Sequence, residues 1–142
     1  MLVAMVFILD EGSEFDAPLD KVWKLNMSEG EHSHPSLRNS SSEMEGEHPI
    51  LRYETQMPDG SWAKNKVKLT LLPPVGIAFE TLEGPTAGSK SLQYYISKGR
   101  KTGITVVGEF ISPGVPDSAL KGAVMKFLET MFKEDQANLA RM

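Results

Sequence analysis

Histidines are the first residues in the chain whose type and spacing favour chemistry. His32 and His34 are two positions apart in a polar segment, and His48 follows later. With a carboxylate such as Glu31 or Glu47, two imidazoles can bind a transition metal ion such as zinc. A His-x-His pair is also common by chance in loops, and this segment contains proline and several serines. We therefore predict solvated loop histidines and no metal site, which zinc uptake can test.

Tyrosines are the second group with chemical potential. In an apolar cavity a phenol can orient a ligand carbonyl or act as a general acid. Tyr53, Tyr94 and Tyr95 are the candidates. Tyr94 and Tyr95 are adjacent on a predicted strand, so only one of them can face inward. Arg52 and Glu54 are expected on the outer face, and a register shift of one residue would turn both inward and favour catalysis.

Sequence motifs for other chemistries are missing. The chain has no cysteine, which excludes thiolate nucleophiles and thiolate metal sites. It contains no Gly-x-Ser-x-Gly elbow, no phosphate-binding glycine loop and no His-Glu-x-x-His. Residues 84–88 lack the Lys-Ser/Thr ending of a phosphate loop and are predicted to connect two strands. Catalytic residues therefore stay unassigned, and no cofactor is predicted.

Length and composition are those of one globular domain spanning residues 1–142. The net charge is −4 and the isoelectric point about 5.4, with no basic stripe, so a nucleic-acid partner is not expected. The apolar stretch 1–9 lacks a positive flank and is too short to span a bilayer as a helix. We expect a buried first strand, no integral membrane segment and a cytoplasmic protein.

The first quarter of the chain predicts a strand followed by a short helix. Residues 2–11 form the strand. Asp16 is the predicted cap of the helix and Pro18 lies in its first turn. Leu19, Val22 and Trp23 then share one helical face, and the helix ends near residue 27. The polar segment 28–42 leaves room for one more helical turn.

The middle of the chain alternates between apolar and polar residues, which predicts strands. Short links join them, and Gly60 marks a hairpin. An antiparallel meander of six strands is therefore expected. The predicted strands cover residues 41–46, 49–57, 62–72, 75–82, 91–97 and 102–111.

The last element is a long amphipathic helix, with Asp117 or Ser118 as its cap. Apolar residues recur at helical spacing from Leu120 to Phe132, which gives a broad stripe on one face. A sheet with one apolar face must bury that face, and this helix is the element large enough to cover it.

The segment from Phe15 to Trp23, Phe-Asp-Ala-Pro-Leu-Asp-Lys-Val-Trp, resembles the first-helix pattern of the START-like (SRPBCC) superfamily. That superfamily includes birch-pollen-type allergens, polyketide cyclases and lipid carriers, and the order of predicted elements is similar to it along the whole chain. The resemblance implies an α+β helix-grip fold. In that fold a curved seven-stranded antiparallel sheet surrounds the long C-terminal helix, with short helices between strands 1 and 2.

The resemblance also implies an apolar cavity between the sheet and the last helix. Each residue expected to line it has an alternative role in ordinary core packing, and the set is a cavity prediction only because the family has one. The expected ligand-binding residues are Leu51, Tyr53, Val67, Leu69, Phe79, Tyr94, Val106, Phe127 and Met131.

Three functions follow as alternatives. The first is carriage or sensing of a small hydrophobic or amphipathic molecule such as a lipid. The second is a cyclase or dehydratase enzyme, which needs polar side chains that converge in the cavity. The third is an interaction module with a collapsed cavity, in which Trp62, Tyr95 and Leu82 form an exposed patch and a homodimer can form.

Overall fold

The computed structural model describes residues 5–28 and 32–142. The strands are β1 (Met5–Phe15), β2 (Leu37–Glu45), β3 (His48–Gln56), β4 (Trp62–Leu72), β5 (Gly76–Glu83), β6 (Lys90–Lys98) and β7 (Lys101–Ile111). The helices are α1 (Leu19–Asn26) and α2 (Asp117–Arg141). The predicted order of strand, short helix, six strands and long helix is confirmed.

All seven strands form one antiparallel sheet in the order β1-β7-β6-β5-β4-β3-β2. The meander from β2 to β7 is as predicted, and β1 returns to pair with β7. Residues that pair directly across strands point to the same face. The inner face is the one that carries Val6 and Ile8, because these two side chains pack against Leu120 and Val124 of α2. The opposite side is the outer face.

β1 and β2 extend furthest beyond their predicted bounds, and each contains a bulge. The predicted first strand, residues 2–11, has its first three residues outside the described ranges, and β1 continues to Phe15. The register shifts between Asp10 and Ser13, where Gly12 has φ 95°. β2 begins at Leu37 rather than residue 41 and shifts its register after Arg38, next to Asn39 with φ 53°. Almost all of β2 is exposed, so its first residues are polar and show no alternation that would predict a strand.

The predicted helix caps are wrong. Neither Asp16 nor Asp117 nor Ser118 caps a helix, because Pro18 is the N-cap of α1 and Pro116 that of α2. Both prolines have an extended ψ beside a φ that their rings already fix. The described part of the 28–42 segment contains a turn at residues 35–36 and no second helix, and residues 29–31 lie outside the description.

The core has three clusters that divide the inner face. One joins the end of β1 to α1 and the C-terminal half of α2, and a second joins β1 to the N-terminal half of α2. The third covers β3, β4 and β5 with the indole of Trp23, and no residue of α2 belongs to it. α2 therefore packs on β1 and β7, and on the inner face of β3–β5 Trp23 is the residue of α1 that joins the cluster.

Candidate functional site

The middle of α2 carries an apolar side chain that the core does not cover. Leu120 and Val124 are only 3% and 7% exposed, whereas Phe127 retains 37% exposure. Phe127 is seven residues after Leu120, which places the two within about 20° on the helix surface. A large apolar side chain on the inward stripe is thus left uncovered.

Eight of the nine expected ligand residues lie on the inner face of the sheet or on the inward stripe of α2. Leu51, Tyr53, Val67, Leu69 and Phe79 share the inner face of β3–β5 and pack with Trp23. Val106 lies on the inner face of β7, opposite Asp10. Met131 and Phe127 lie on the inward stripe of α2. Whether these residues contact a ligand stays a prediction.

Tyr94 is the exception, and its expected inward orientation is wrong. Tyr95 pairs with Ile104 on the inner face and is 2% exposed, whereas Tyr94 faces outward and is 43% exposed. The alternation in β6 predicted the wrong orientation because the outer face of this strand is its more apolar side. Its inner face carries polar residues, among them Ser91 and Gln93, so the apolar pattern indicated the opposite orientation.

The buried hydroxyl of Tyr95 has two hydrogen-bond donors. The amide nitrogen of Asn26 donates to it at 2.7 Å, and that of Gln93 at 2.5 Å. Burial raises the pKa of Tyr95, and the two donors oppose that effect in part. This network joins α1 to β6, so Tyr95 holds the fold together rather than offering a free hydroxyl.

Tyr53 provides the free hydroxyl. Burial alone raises the pKa of Tyr53, so the phenol stays protonated at neutral pH. No group in residues 5–28 or 32–142 forms a hydrogen bond with this hydroxyl, although the ring packs in the β3–β5 cluster. A half-buried hydroxyl in apolar surroundings can orient a polar group of a ligand. Arg52 lies on the outer face as predicted, beside Glu43 of β2 at 3.3 Å.

A small cavity of about 30 Å³ lies between α2 and strands β1, β6 and β7. Its walls combine apolar and polar side chains, and its volume is enough for about one water molecule. The polar members come from three different elements, β1, β6 and α2. The lining residues are Asp10, Ser13, Gln93, Ile104, Val106, Leu128, Met131, Phe132 and Asp135.

The two loop histidines are held against α2 rather than solvated. His32 Nε2 lies 2.8 Å from Asp135 Oδ1, and His34 Nε2 lies 3.2 Å from the same oxygen. His34 Nδ1 lies 2.8 Å from Glu134 Oε1. The histidine side chains are only 26% and 17% exposed. The expectation of solvated loop histidines is therefore wrong. The sequence did not show these contacts because about 100 residues of chain separate each histidine from its partner.

Electrostatic interactions within this cluster favour the protonated form of His34 and the ionised form of Asp135. Burial lowers the pKa of His34. The hydrogen bonds and charges of Asp135 and Glu134 raise this pKa by a larger amount, so the net shift is upward. Burial raises the pKa of Asp135, and the hydrogen bonds and charges of the two histidines more than offset it, so the net shift is downward. His48 is elsewhere, on β3, with Nδ1 3.0 Å from the carbonyl oxygen of Leu69.

Exposed apolar side chains lie on the outer face, but they are not the expected ones. Tyr95 is buried, and Trp62 lies under the guanidinium of Arg38, 4.1 Å from the ring centroid. Leu82 is 37% exposed. The larger exposures on the outer face belong to β1, β6 and the end of β4. They are those of Met5, Phe7, Leu9, Leu72, Tyr94 and Ile96.

Comparison with solved structures identifies the fold. A START superfamily protein from Mycobacterium smegmatis matches with a TM-score of 0.78 at 13% identity, over 95% of this chain and 97% of that one. Ara h 8.0201 matches with a TM-score of 0.77 at 13% identity, over 98% and 100%. The ZhuI aromatase/cyclase from Streptomyces sp. R1128 matches with a TM-score of 0.73 at 15% identity, over 96% and 92%.

The chain therefore has the START-like helix-grip fold, as the resemblance implied. No family model and no curated protein matches its sequence. None of the helices in the described part of the chain is long and apolar enough to cross a membrane.

Proposed function

We propose that the interior between α2 and the inner face of β3–β5 binds a small hydrophobic or amphipathic molecule. The observation that carries this proposal is the 37% exposure of Phe127 on the inward stripe of α2. An apolar surface that stays open inside a fold is stabilised when a hydrophobic molecule covers it, by about 25 cal/mol for each Å² removed from water. The 30 Å³ cavity is not the site, because it is too small for such a molecule.

The surroundings of the proposed site support an amphipathic ligand rather than a pure hydrocarbon. Leu69, Phe79 and Trp23 supply apolar walls on the sheet side. The hydroxyl of Tyr53 lies in the same cluster without a hydrogen-bond partner in the described chain. A ligand with a carbonyl or hydroxyl group gains one hydrogen bond there, and its apolar part covers Phe127.

A fluorescence titration tests the proposal. The variant Trp62→Phe leaves Trp23 as the single tryptophan, and Trp23 packs against the β3–β5 cluster. We expect oleic acid or a similar amphiphile to shift its emission saturably, with one molecule bound. In that background Phe127→Glu should weaken binding about tenfold or more, because a carboxylate resists burial against apolar surface.

The matched control is Leu82→Glu on the outer face. Leu82 and Phe127 are each 37% exposed, so both substitutions place the same charge at a position of similar exposure. Leu82→Glu should leave the affinity unchanged. Equal affinity of the Phe127→Glu and Leu82→Glu proteins, or no saturable shift with any amphiphile, would refute an internal site.

The Tyr53 hydroxyl should determine which ligands bind well. Tyr53→Phe should weaken binding of a ligand with a carbonyl or hydroxyl group about 2- to 10-fold, the range of one net hydrogen bond. It should leave the affinity for a hydrocarbon of the same length unchanged. Calorimetric titrations of both ligands measure this difference. An equal loss for both would mean that Tyr53 contributes only packing.

An enzyme of cyclase or dehydratase type is the second candidate, and one observation favours it. Asp10, Ser13, Gln93 and Asp135 line the small cavity together with Val106 and Met131, so they lie beside the proposed ligand site, where general acid–base groups could act on a bound substrate. One of the similar structures is an aromatase/cyclase. Incubation with a short poly-β-ketone thioester and analysis of the products by mass spectrometry tests this function. Turnover that Asp10→Asn abolishes would support it, and a product pattern identical to the protein-free reaction would exclude it for this substrate.

A further inference from the structure

Three atoms of metal-ligand type converge where the segment after α1 meets α2. His32 Nε2 lies 2.8 Å from Asp135 Oδ1 and 2.9 Å from His34 Nε2, and His34 Nε2 lies 3.2 Å from Asp135 Oδ1. Around a tetrahedral zinc ion with bonds of about 2.0–2.1 Å, neighbouring ligand atoms are about 3.3 Å apart. The three atoms therefore need to spread by only about 0.5 Å or less to surround such an ion.

When His34 is neutral, the close contacts of this cluster outnumber the protons available to bridge them. His34 Nδ1 faces a Glu134 carboxylate oxygen, so this nitrogen carries the proton and a neutral His34 presents a lone pair on Nε2. His32 Nε2 then supplies at most one proton for two acceptors, Asp135 Oδ1 and His34 Nε2. The third contact, between His34 Nε2 and Asp135 Oδ1, then has no proton between its two atoms, so their lone pairs face each other. An additional proton or a metal ion removes that conflict, and a metal ion can use all three lone pairs.

A second layer of hydrogen bonds fixes the ligands in place. Glu134 also accepts from the backbone N–H of Ser36 at 3.2 Å and from its hydroxyl at 3.0 Å. Asn138, which is 1% exposed, donates from Nδ2 to the carbonyl oxygen of Ser33 at 2.8 Å, between the two histidines. Arg141 in turn donates to Asn138. Carboxylates that hold metal-binding imidazoles in this way are typical of metal centres.

The geometry points to a binding site for a divalent transition metal ion of the zinc type, with His32 Nε2, His34 Nε2 and Asp135 Oδ1 as ligands. Two imidazoles and one carboxylate suit zinc and its neighbours better than magnesium or calcium, which prefer oxygen ligands alone. Three protein ligands leave a coordination position for water or another molecule. Asp135 also lines the small cavity, so the ion is next to the interior. The site does not depend on the ligand binding proposed above.

Zinc alone is the probe for the test. The full chain, free of any histidine tag and stripped with a chelator, is titrated with zinc chloride by calorimetry. We expect one equivalent to bind with a dissociation constant of about 1 μM or lower. Glu134→Gln should weaken binding about 10- to 100-fold, as loss of an outer partner does. His34→Ala and Asp135→Asn remove a ligand and should weaken it at least as much.

His48→Ala is the matched control, because His48 is the third histidine of the chain and lies outside the cluster. Its affinity for zinc should equal that of the unchanged protein. Failure of the unchanged protein to bind one equivalent, or full binding by His34→Ala and Asp135→Asn, overturns the proposal.

A measurement on the unchanged protein keeps the proposal testable if the variants do not fold. Zinc should shift the imidazole proton resonances of His32 and His34 and leave those of His48 in place. The reverse pattern, or no shift in either of the two, overturns the proposed site.

Discussion

Phe15→Ala is expected to lower the free energy of unfolding by about 3–5 kcal/mol, the usual cost of deleting a buried aromatic ring. Phe15 is 1% exposed at the end of β1, and its ring stacks on Phe132 of α2 with centroids 4.7 Å apart. It also belongs to the cluster that contains Val22 of α1 and Tyr95 of β6. One ring therefore joins the sheet to both helices. Urea denaturation followed by circular dichroism measures the change in the free energy of unfolding.

Phe7→Ala is the control on the same strand. Phe7 is 64% exposed on the outer face, so its truncation should change the free energy of unfolding by about 0.5 kcal/mol or less. Similar costs for the two alanine variants would contradict the packing of α2 on the inner face. A change in the denaturant slope of Phe15→Ala would indicate that α2 detaches before the sheet unfolds.

Gly108→Ala should produce the second large effect. A methyl group at this position would lie 2.6 Å from the carbonyl oxygen of Lys90 and 2.6 Å from Cβ of Ser91. Both neighbours belong to the adjoining strand β6, where they cannot move without disturbing the β6–β7 pairing. Overpacking of this kind costs about 1–3 kcal/mol. Thermal denaturation should show the loss as a lower melting temperature.

Gly103→Ala is the matched control in β7. The nearest atom to the added methyl group is Cε of Lys98 at 3.3 Å, which is part of a flexible side chain. This change should leave stability within about 0.5 kcal/mol of the unchanged protein. If Gly103→Ala were as damaging as Gly108→Ala, the close approach of β6 and β7 would not explain the cost.

The fold was predictable because alternation and helical periodicity extend over most of the chain. β4 and the long helix follow directly from their apolar residues, and every strand of the meander was identified. The errors lie where the apolar pattern is weak or divided. β2 is almost wholly exposed and carries no inward stripe for the sequence to show. In β6 the outer face is the more apolar one, so Tyr94 and Tyr95 were assigned to the wrong sides.

The candidate site was only partly predictable, because its key contacts join distant parts of the chain. The inward orientation of Tyr53 could be predicted from the alternation in β3. The contacts of His32 and His34 with Asp135 could not be predicted, since they depend on where the end of α2 meets the segment after α1. The order Glu134-Asp135, followed by Asn138 one turn later, was a usable sign. Polar residues three and four apart form a polar face at the end of an otherwise apolar helix.

The position of β1 and α2 at opposite ends of the chain has a consequence for folding kinetics. β1 pairs with β7 across roughly a hundred residues, and α2 packs on β1 across a similar distance. Contacts this remote along the sequence form slowly, since a long loop must close before they give any stabilisation. During synthesis the inner faces of β1 and β7 therefore stay uncovered until translation reaches α2. A nascent chain in that state exposes apolar surface, which favours aggregation.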